Sequence, residues 1–354
     1  MKQRLHTTMM IVPTGVGAAI GGYAGDALPV ARAISTVTDR LITHPNVLNG
    51  AQLYWPLPNA YYVEGYGLDQ FAAGRWHLQP VHQNAIGLIL DQAIEENLRW
   101  RHLQAADAAR ATLGLDIRHH ITTDMPLGVT LKQADTATWG TIAHPDSLLR
   151  AVERLRQEGC TAIAVVARFP DDMESDALSA YRQGDGVDPL AGAEAVISHL
   201  VVRQFQMPCA HAPALRPLPL DPTISPKSAA EEIGYTFLPC VLAGLSKAPQ
   251  FSTTAAPNSI NFSDVDALIV PASTLGGSAV LSLSETTTQI IAVQDNTTVL
   301  NVDTSALGIQ VTTVKSYLEA IGMIAVQRAG ITPLALTPHI SELQSLSTSA
   351  QHMS

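Results

Sequence analysis

Between residues 8 and 34 the chain reads TMMIVPTGVGAAIGGYAGDALPVARAI, and this stretch constrains the fold more than any other. Residues 9–12 are a short apolar run ending at Pro13, as a buried strand does. Gly15, Gly17, Gly21, Gly22 and Gly25 then permit positive φ and close backbone approach. Residues 26–34 place Ala27, Val30, Ala31 and Ile34 on one helical face. A strand, a glycine-rich turn and a helix aim backbone N–H groups at one point, which attracts an anion. The spacing departs from the dinucleotide fingerprint, because Ile20 stands where Gly or Ala is required. The next strand, 41–43, also ends without a carboxylate for a ribose. Gly15, Gly17, Gly21 and Gly22 are therefore candidate ligand-binding residues, beside the plainer reading that they serve helix–sheet packing.

Further along, apolar strands and amphipathic helices alternate. Strands are expected at 40–43, 86–90, 118–123, 129–132, 160–167, 267–270 and 290–293. Helices are expected at 92–113, closed by Gly114, at 146–158, closed by Gly159, and at 190–205, 275–283 and 317–329, while 229–245 reads as an apolar stretch containing Pro239-Cys240. Residues 210–213 read as a loop and 249–264 as a flexible polar insert. This alternation predicts an α/β fold: a mostly parallel sheet with helices on both faces, with room for two lobes around a cleft. The expected division is an N-terminal lobe at 1–135, a C-terminal lobe at 136–335 and a disordered tail at 336–354. Ile11-Val12-Pro13 is echoed by Ile269-Val270-Pro271, each followed by small residues, as if two such turns faced one ligand from two lobes.

Composition excludes some partners. Net charge is −10, only five lysines occur, and no Lys/Arg cluster exists, which argues against nucleic acid and anionic membranes. Charged residues are 15%, against about 25% in a typical domain, so a large core or a homo-oligomer interface is expected. No uninterrupted apolar stretch is long enough to span a bilayer. Pro13 and the glycines break up any signal-peptide core. Three widely spaced cysteines, Cys160, Cys209 and Cys240, suit free thiols in a reducing cytoplasm.

In α/β sheets ligands bind at the carboxyl ends of strands, and those ends carry Gly15, His44, Asp124, Arg168, His211 and Asn296. Cys209 and His211, two apart in an extended segment, share a face, as a thiolate–imidazole pair requires. Cys209 and Cys240 each follow a proline, and two opposed thiols can run a racemase. Glu64, Asp124, Asp171, Asp172 and Glu231 lie in charge-poor surroundings, where burial raises a carboxyl pKa toward acid–base use. Asp188-Pro189 reads as an ordinary helix start. Arg168 and Asn296 are candidate ligand-binding residues, Arg168 by bidentate contact with a carboxylate or phosphate, or equally Arg168 pairs with Asp171. His44, His119, His120, His144, His199 and His211 show no metal-ligand spacing, and no metal is assigned.

The segments GVGAAIGGYAGDALP, THPNVLNGAQLYWPLPNAYYVEGYGLD, VVARFPDD, GVDPLAGAEAVISHLVV, PCAHAPA and EEIGYTFLPCVLAGLS together resemble the DUF3326 family, across residues 8–330. The resemblance implies a soluble cytoplasmic protein of a photosynthetic bacterium and carries over no catalytic residue. The residues themselves lead to the expectation of an enzyme acting on a small anionic metabolite, phosphorylated or carboxylated. Its chemistry would be proton transfer of isomerase or lyase type, drawing on His211, Cys209, His44, Glu64 and Asp124. The alternative is a non-catalytic ligand-sensing or assembly protein. No cofactor is identified.

Overall fold

The computed structural model describes residues 4–49, 55–134, 137–171, 176–232, 237–302 and 307–345. The chain opens with β1 (Thr7–Met10), α1 (Leu28–Val37), β2 (Arg40–Thr43), α2 (Pro45–Leu48), β3 (Ala60–Tyr62) and α3 (Gly65–Ala72). It then builds a second unit, beginning with β4 (His77–Gln79), β5 (Ile86–Leu90), α4 (Glu96–Leu113), β6 (Ile117–Thr122), β7 (Val129–Ala134) and β8 (Ala137–Ile142). That unit continues through α5 (Pro145–Gln157), β9 (Ala162–Arg168), α6 (Asp176–Arg182), α7 (Ala191–Phe205), β10 (Cys209–Ala214), α8 (Ala229–Glu232), α9 (Phe237–Ser246) and β11 (Gln250–Ser252). The chain returns with β12 (Val265–Pro271), α10 (Ser278–Ser284), β13 (Gln289–Val293), β14 (Thr312–Val314) and α11 (Tyr317–Arg328).

The fold is α/β with two parallel sheets. The first has the order β14-β13-β12-β1-β2-β3. Counting only its own strands, this is the 3-2-1-4-5-6 order of doubly wound sheets, which reverses between β1 and β12 and opens a crevice there. The second sheet runs β10-β9-β5-β6. The lobe boundary expected at 135/136 falls on residues outside those described, and each parallel sheet takes strands from both sides of it. The echoed segments are neighbours in one sheet, not turns of two lobes: β1 pairs with β12, and the Ile11 N–H donates to Ile269 O at 3.0 Å.

Side-chain alternation explains the double covering. Met10, Leu41, Ile269 and Ile291 face α1 and α11, while Met9, Ile42, Leu268 and Ala292 face α3 and α10. In the second sheet Leu88, Ala164 and Ala212 face α4 and α9, and Ile89, Val165 and Cys209 face α5 and α7. Helix α9 joins the units. Leu238, Val241, Leu242 and Leu245 are buried, each contributing roughly 2 kcal/mol by burial. Gly244 lets α9 approach β3, because a Cβ there would lie 2.7 Å from the Tyr62 ring.

Two expected loops are ordered. Residues 210–213 belong to β10, a parallel edge strand whose inward residues are small enough to pack under α9. Residues 249–264 contain β11, which pairs antiparallel with β4, and Ile260, which is fully buried and bridges to Leu78. The two chain crossings between the units thus pair with each other. Of the expected tail, residues 337–345 are exposed, and 346–354 lie outside the described residues.

Candidate functional site

A cleft of ≈ 480 Å³ lies where the carboxyl edge of the first sheet meets α7 and β10 of the second unit. Ile11 and Pro13 follow β1, His44 follows β2, Glu64 follows β3, and Val270 ends β12; all line it. The cleft therefore includes the crevice that the strand order creates. Glu194, Ser198 and His199 come from α7, and His211 from β10.

Glu64 is the best-anchored group in it. The residue is 5% exposed, and as N-cap of α3 its side chain accepts from the Tyr66 N–H at 2.9 Å and the Gly67 N–H at 3.3 Å. Its other oxygen, Oε1, lies 2.8 Å from His199 Nε2. Burial pushes the His199 imidazole down, but the Glu64 hydrogen bond and charge, with Asp69 beyond, outweigh it and leave the pKa raised. Gly65 makes the approach possible, since a Cβ there would stand 3.1 Å from His199 Nε2. A carboxylate that fixes one ring nitrogen leaves the other free to exchange a proton in the cleft, where nearly half of the His199 side chain is exposed.

Further carboxyl groups line the cleft. Burial pushes the Glu231 carboxyl up to about 7, although Ala24 N–H (2.6 Å) and the Tyr181 hydroxyl (2.8 Å) both donate to its Oε1. Asp188 keeps some surface in the cleft but sits deep among protein atoms. Its carboxyl is held well above the usual range by burial, then by Glu194 and Glu231. Tyr181 stacks on Tyr23 with centroids 4.6 Å apart, and burial pushes the Tyr23 hydroxyl up to about 12. His211 Nδ1 lies 3.2 Å from Ser198 Oγ, and its Nε2 3.7 Å from Glu194 Oε2.

Of the residues expected from sequence, Glu64, Glu231, His211, His44 and Gly22 line this cleft. His44 is buried and neutral: burial lowers its pKa to about 4, and Nε2 accepts from the Val12 N–H at 3.0 Å, so it braces β1. Cys209 is 1% exposed, burial holds its thiol well above the ordinary value, and its Sγ points to Ala210 O, not to the His211 ring. Cys240 is equally buried, in α9. Asp124 lies outside the cleft on the surface, tied to Arg150 and Ser147, which lower its pKa. Arg168 is also elsewhere and saturated: Glu95 and Asp171 take its guanidinium, which holds Glu95 down to about 2. Asp171 belongs to that network, and Asp172 lies outside the described residues.

The glycine-rich turn is organised from within. Gly15, Gly17 and Gly21 have φ of 72°, 57° and 90°. A Cβ on Gly22 would stand 2.4 Å from Ala18 O. Asn296, 1% exposed, accepts from Ile20 N–H and donates to Ile20 O and the Tyr317 hydroxyl. Asp26 takes the Gly21 N–H and Glu231 the Ala24 N–H. Donors that sequence reserves for an external anion are thus met by the chain's own side chains. Among the described residues, no group of three or more His, Cys, Asp or Glu is placed to hold a metal ion.

Sequence reasoning passed over Asp188, Glu194 and Ser198, and took His199 only as one scattered histidine. The available signal was Glu194 and Ser198, i and i+4 on one face of a largely apolar helix, with His199 adjoining them. Asp188 does accept from the Leu190 N–H at 2.8 Å, as a helix start would, and that local role masked the other.

Among the described residues no helix is long and apolar enough to cross a membrane. No solved structure matches the chain. A protein of Synechococcus sp. that bears the name uncharacterized lipoprotein is 60% identical over 354 residues, covering 99% of each chain. The family model described as protein of unknown function, DUF3326, matches residues 7–337, and the chain belongs to that family.

Proposed function

We propose that the protein is an enzyme that binds a small metabolite in this cleft and moves protons on it, in isomerase or lyase chemistry. The observation that carries the reading is one cleft holding both an oriented imidazole, His199 on Glu64, and carboxyl groups whose proton affinity is raised by burial, Glu231 and Asp188. Pairs of titratable groups with pKa values displaced by their surroundings are what acid–base catalysts use. His199 takes a proton from substrate carbon or oxygen, and a carboxyl returns one. His211, beside Glu194 and Ser198, is a second proton carrier.

The sequence expectation of an anionic substrate meets a wall of carboxylates, so the charge of the ligand is a separate question. The alternative, a ligand sensor without turnover, draws on the same cleft. Solvent exchange separates the two. The protein is incubated with a metabolite extract in D₂O and the extract is read by mass spectrometry. Deuterium should enter at least one compound with wild type and not with His199→Ala. Equal labelling in both, or none, removes the catalytic reading.

The exposed Leu318, Leu334, Leu336 and Ile340 support a homo-oligomer, which light scattering would detect. Three buried free thiols support a cytoplasmic location. The relative's name points to a membrane-associated one, and cell fractionation decides.

A further inference from the structure

We infer that the cleft takes a ligand bearing a protonated amine on an apolar body. The inference rests on the reading of this cleft as a small-molecule site, whose ≈ 480 Å³ is of ligand size. Its walls are largely apolar, with Leu68, Leu178, Leu215, Leu218 and Phe237 among them. Its charge is one-sided. Asp188, Glu194 and Glu231 lie near enough to act on one another, and the charges that act most on Glu231 are carboxylates, Glu194 and Asp26.

The cations nearby are spoken for. Arg182 on α6 binds Glu232 at 2.9 and 3.2 Å, His199 on α7 binds Glu64, and Lys227 before α8 donates to Ala19 O. From β10, His211 meets Glu194 at 3.7 Å. From the glycine-rich turn, Tyr23 and Asp26 face the cluster, and Asp26 Oδ2, though only 3.8 Å from Lys227 Nζ, has no hydrogen-bond donor. An ammonium group brings positive charge and donors to this acidic wall, while the apolar walls take the rest of the ligand.

The raised carboxyl groups make this testable by the sign of a proton change. An ammonium favours the ionised form of Glu231, whose carboxyl burial raises to about 7, so protons are released on binding and affinity rises as pH approaches 7 from below, up to about tenfold per unit for one linked proton. A carboxylate ligand would do the opposite. The full-length protein is titrated calorimetrically with phenethylamine, tryptamine and hexylamine, and with 3-phenylpropionate, indole-3-propionate and hexanoate, in buffers of different ionisation enthalpy.

The expected result is amine binding with proton release, weakened at least tenfold in Glu231→Gln or, should that variant not fold, in Asp188→Asn. Binding of the carboxylates with proton uptake overturns the amine inference and leaves the cleft as a ligand site. Binding by none of the six also overturns it, and the D₂O labelling then decides separately whether the cleft is catalytic.

Discussion

Replacing Glu231 by Gln removes one titrating proton and little else, because both of its donors, Ala24 N–H and the Tyr181 hydroxyl, reach an oxygen that Gln retains. The folded pKa is raised, from 4.5 to about 7. Below pH 4.5 the carboxyl is protonated both folded and unfolded, and the group costs nothing. Between 4.5 and 7 the folded state holds the proton that the unfolded state gives up, so stability falls as pH rises. Above 7 the loss is complete, on the order of 3 kcal/mol at about 1.4 kcal/mol per unit of displacement. In a chain of this size that is a melting-temperature difference of roughly 5 °C. Thermal unfolding of wild type and Glu231→Gln, followed by circular dichroism from pH 4 to 9, measures it. The variant should melt with wild type at pH 4 and above it at pH 8, the gap opening between. A gap constant across that range, or a variant less stable than wild type at pH 8, would falsify the claim that Glu231 is buried at an energetic cost.

Three further outcomes follow from the geometry. Gly65→Ala places a Cβ 3.1 Å from His199 Nε2 and should lengthen the contact to Glu64, so the His199 pKa measured by NMR should fall. Asn296→Ala strips two backbone groups of Ile20 and the Tyr317 hydroxyl of their partner, and a denaturant midpoint should register a loss of about 2–4 kcal/mol. Gly22→Ala forces a Cβ to 2.4 Å from the Ala18 carbonyl, and the variant should be recovered with the soluble yield or melting temperature sharply reduced.

Much of the fold was legible because its inner strands are apolar on both faces. Residues 86–90, 267–270 and 290–293 each sit inside or match a parallel strand, and Gly114, at φ 67°, ends α4 where its position suggests. What escaped was short or global. β3, β4, β11 and β14 have three residues each, too few for a period to show. That one sheet is interrupted by another unit is a fact of long-range pairing, which local pattern does not encode. Of the site, the carboxyl ends of the first sheet were a sound guide to place, since Glu64 and His44 come together there. Charge was half legible: the pairing of Arg168 with Asp171, three positions on, could be read locally, but its second partner Glu95 lies 73 positions away, and the turn's glycines looked like an anion cradle because Glu231 is remote in the chain.

The pairing of β4 with β11 bears on how the chain is made. β1 must bond β12, with Thr8 beside Ala267, so the first sheet cannot be completed until synthesis is nearly over. At about 5–20 residues per second, the stretch of roughly 250 residues between β1 and β12 keeps the β1 edge unpaired for some tens of seconds. The second unit, whose last strand ends at Ser252, can fold in that interval. When β11 zips onto β4 it returns the chain to its point of departure. A closure spanning most of the sequence then becomes one across a much shorter effective loop, with a correspondingly smaller entropy loss. A nascent chain halted just before β11 should leave β1 open to proteases and misdirected pairing, and one halted after β12 should not.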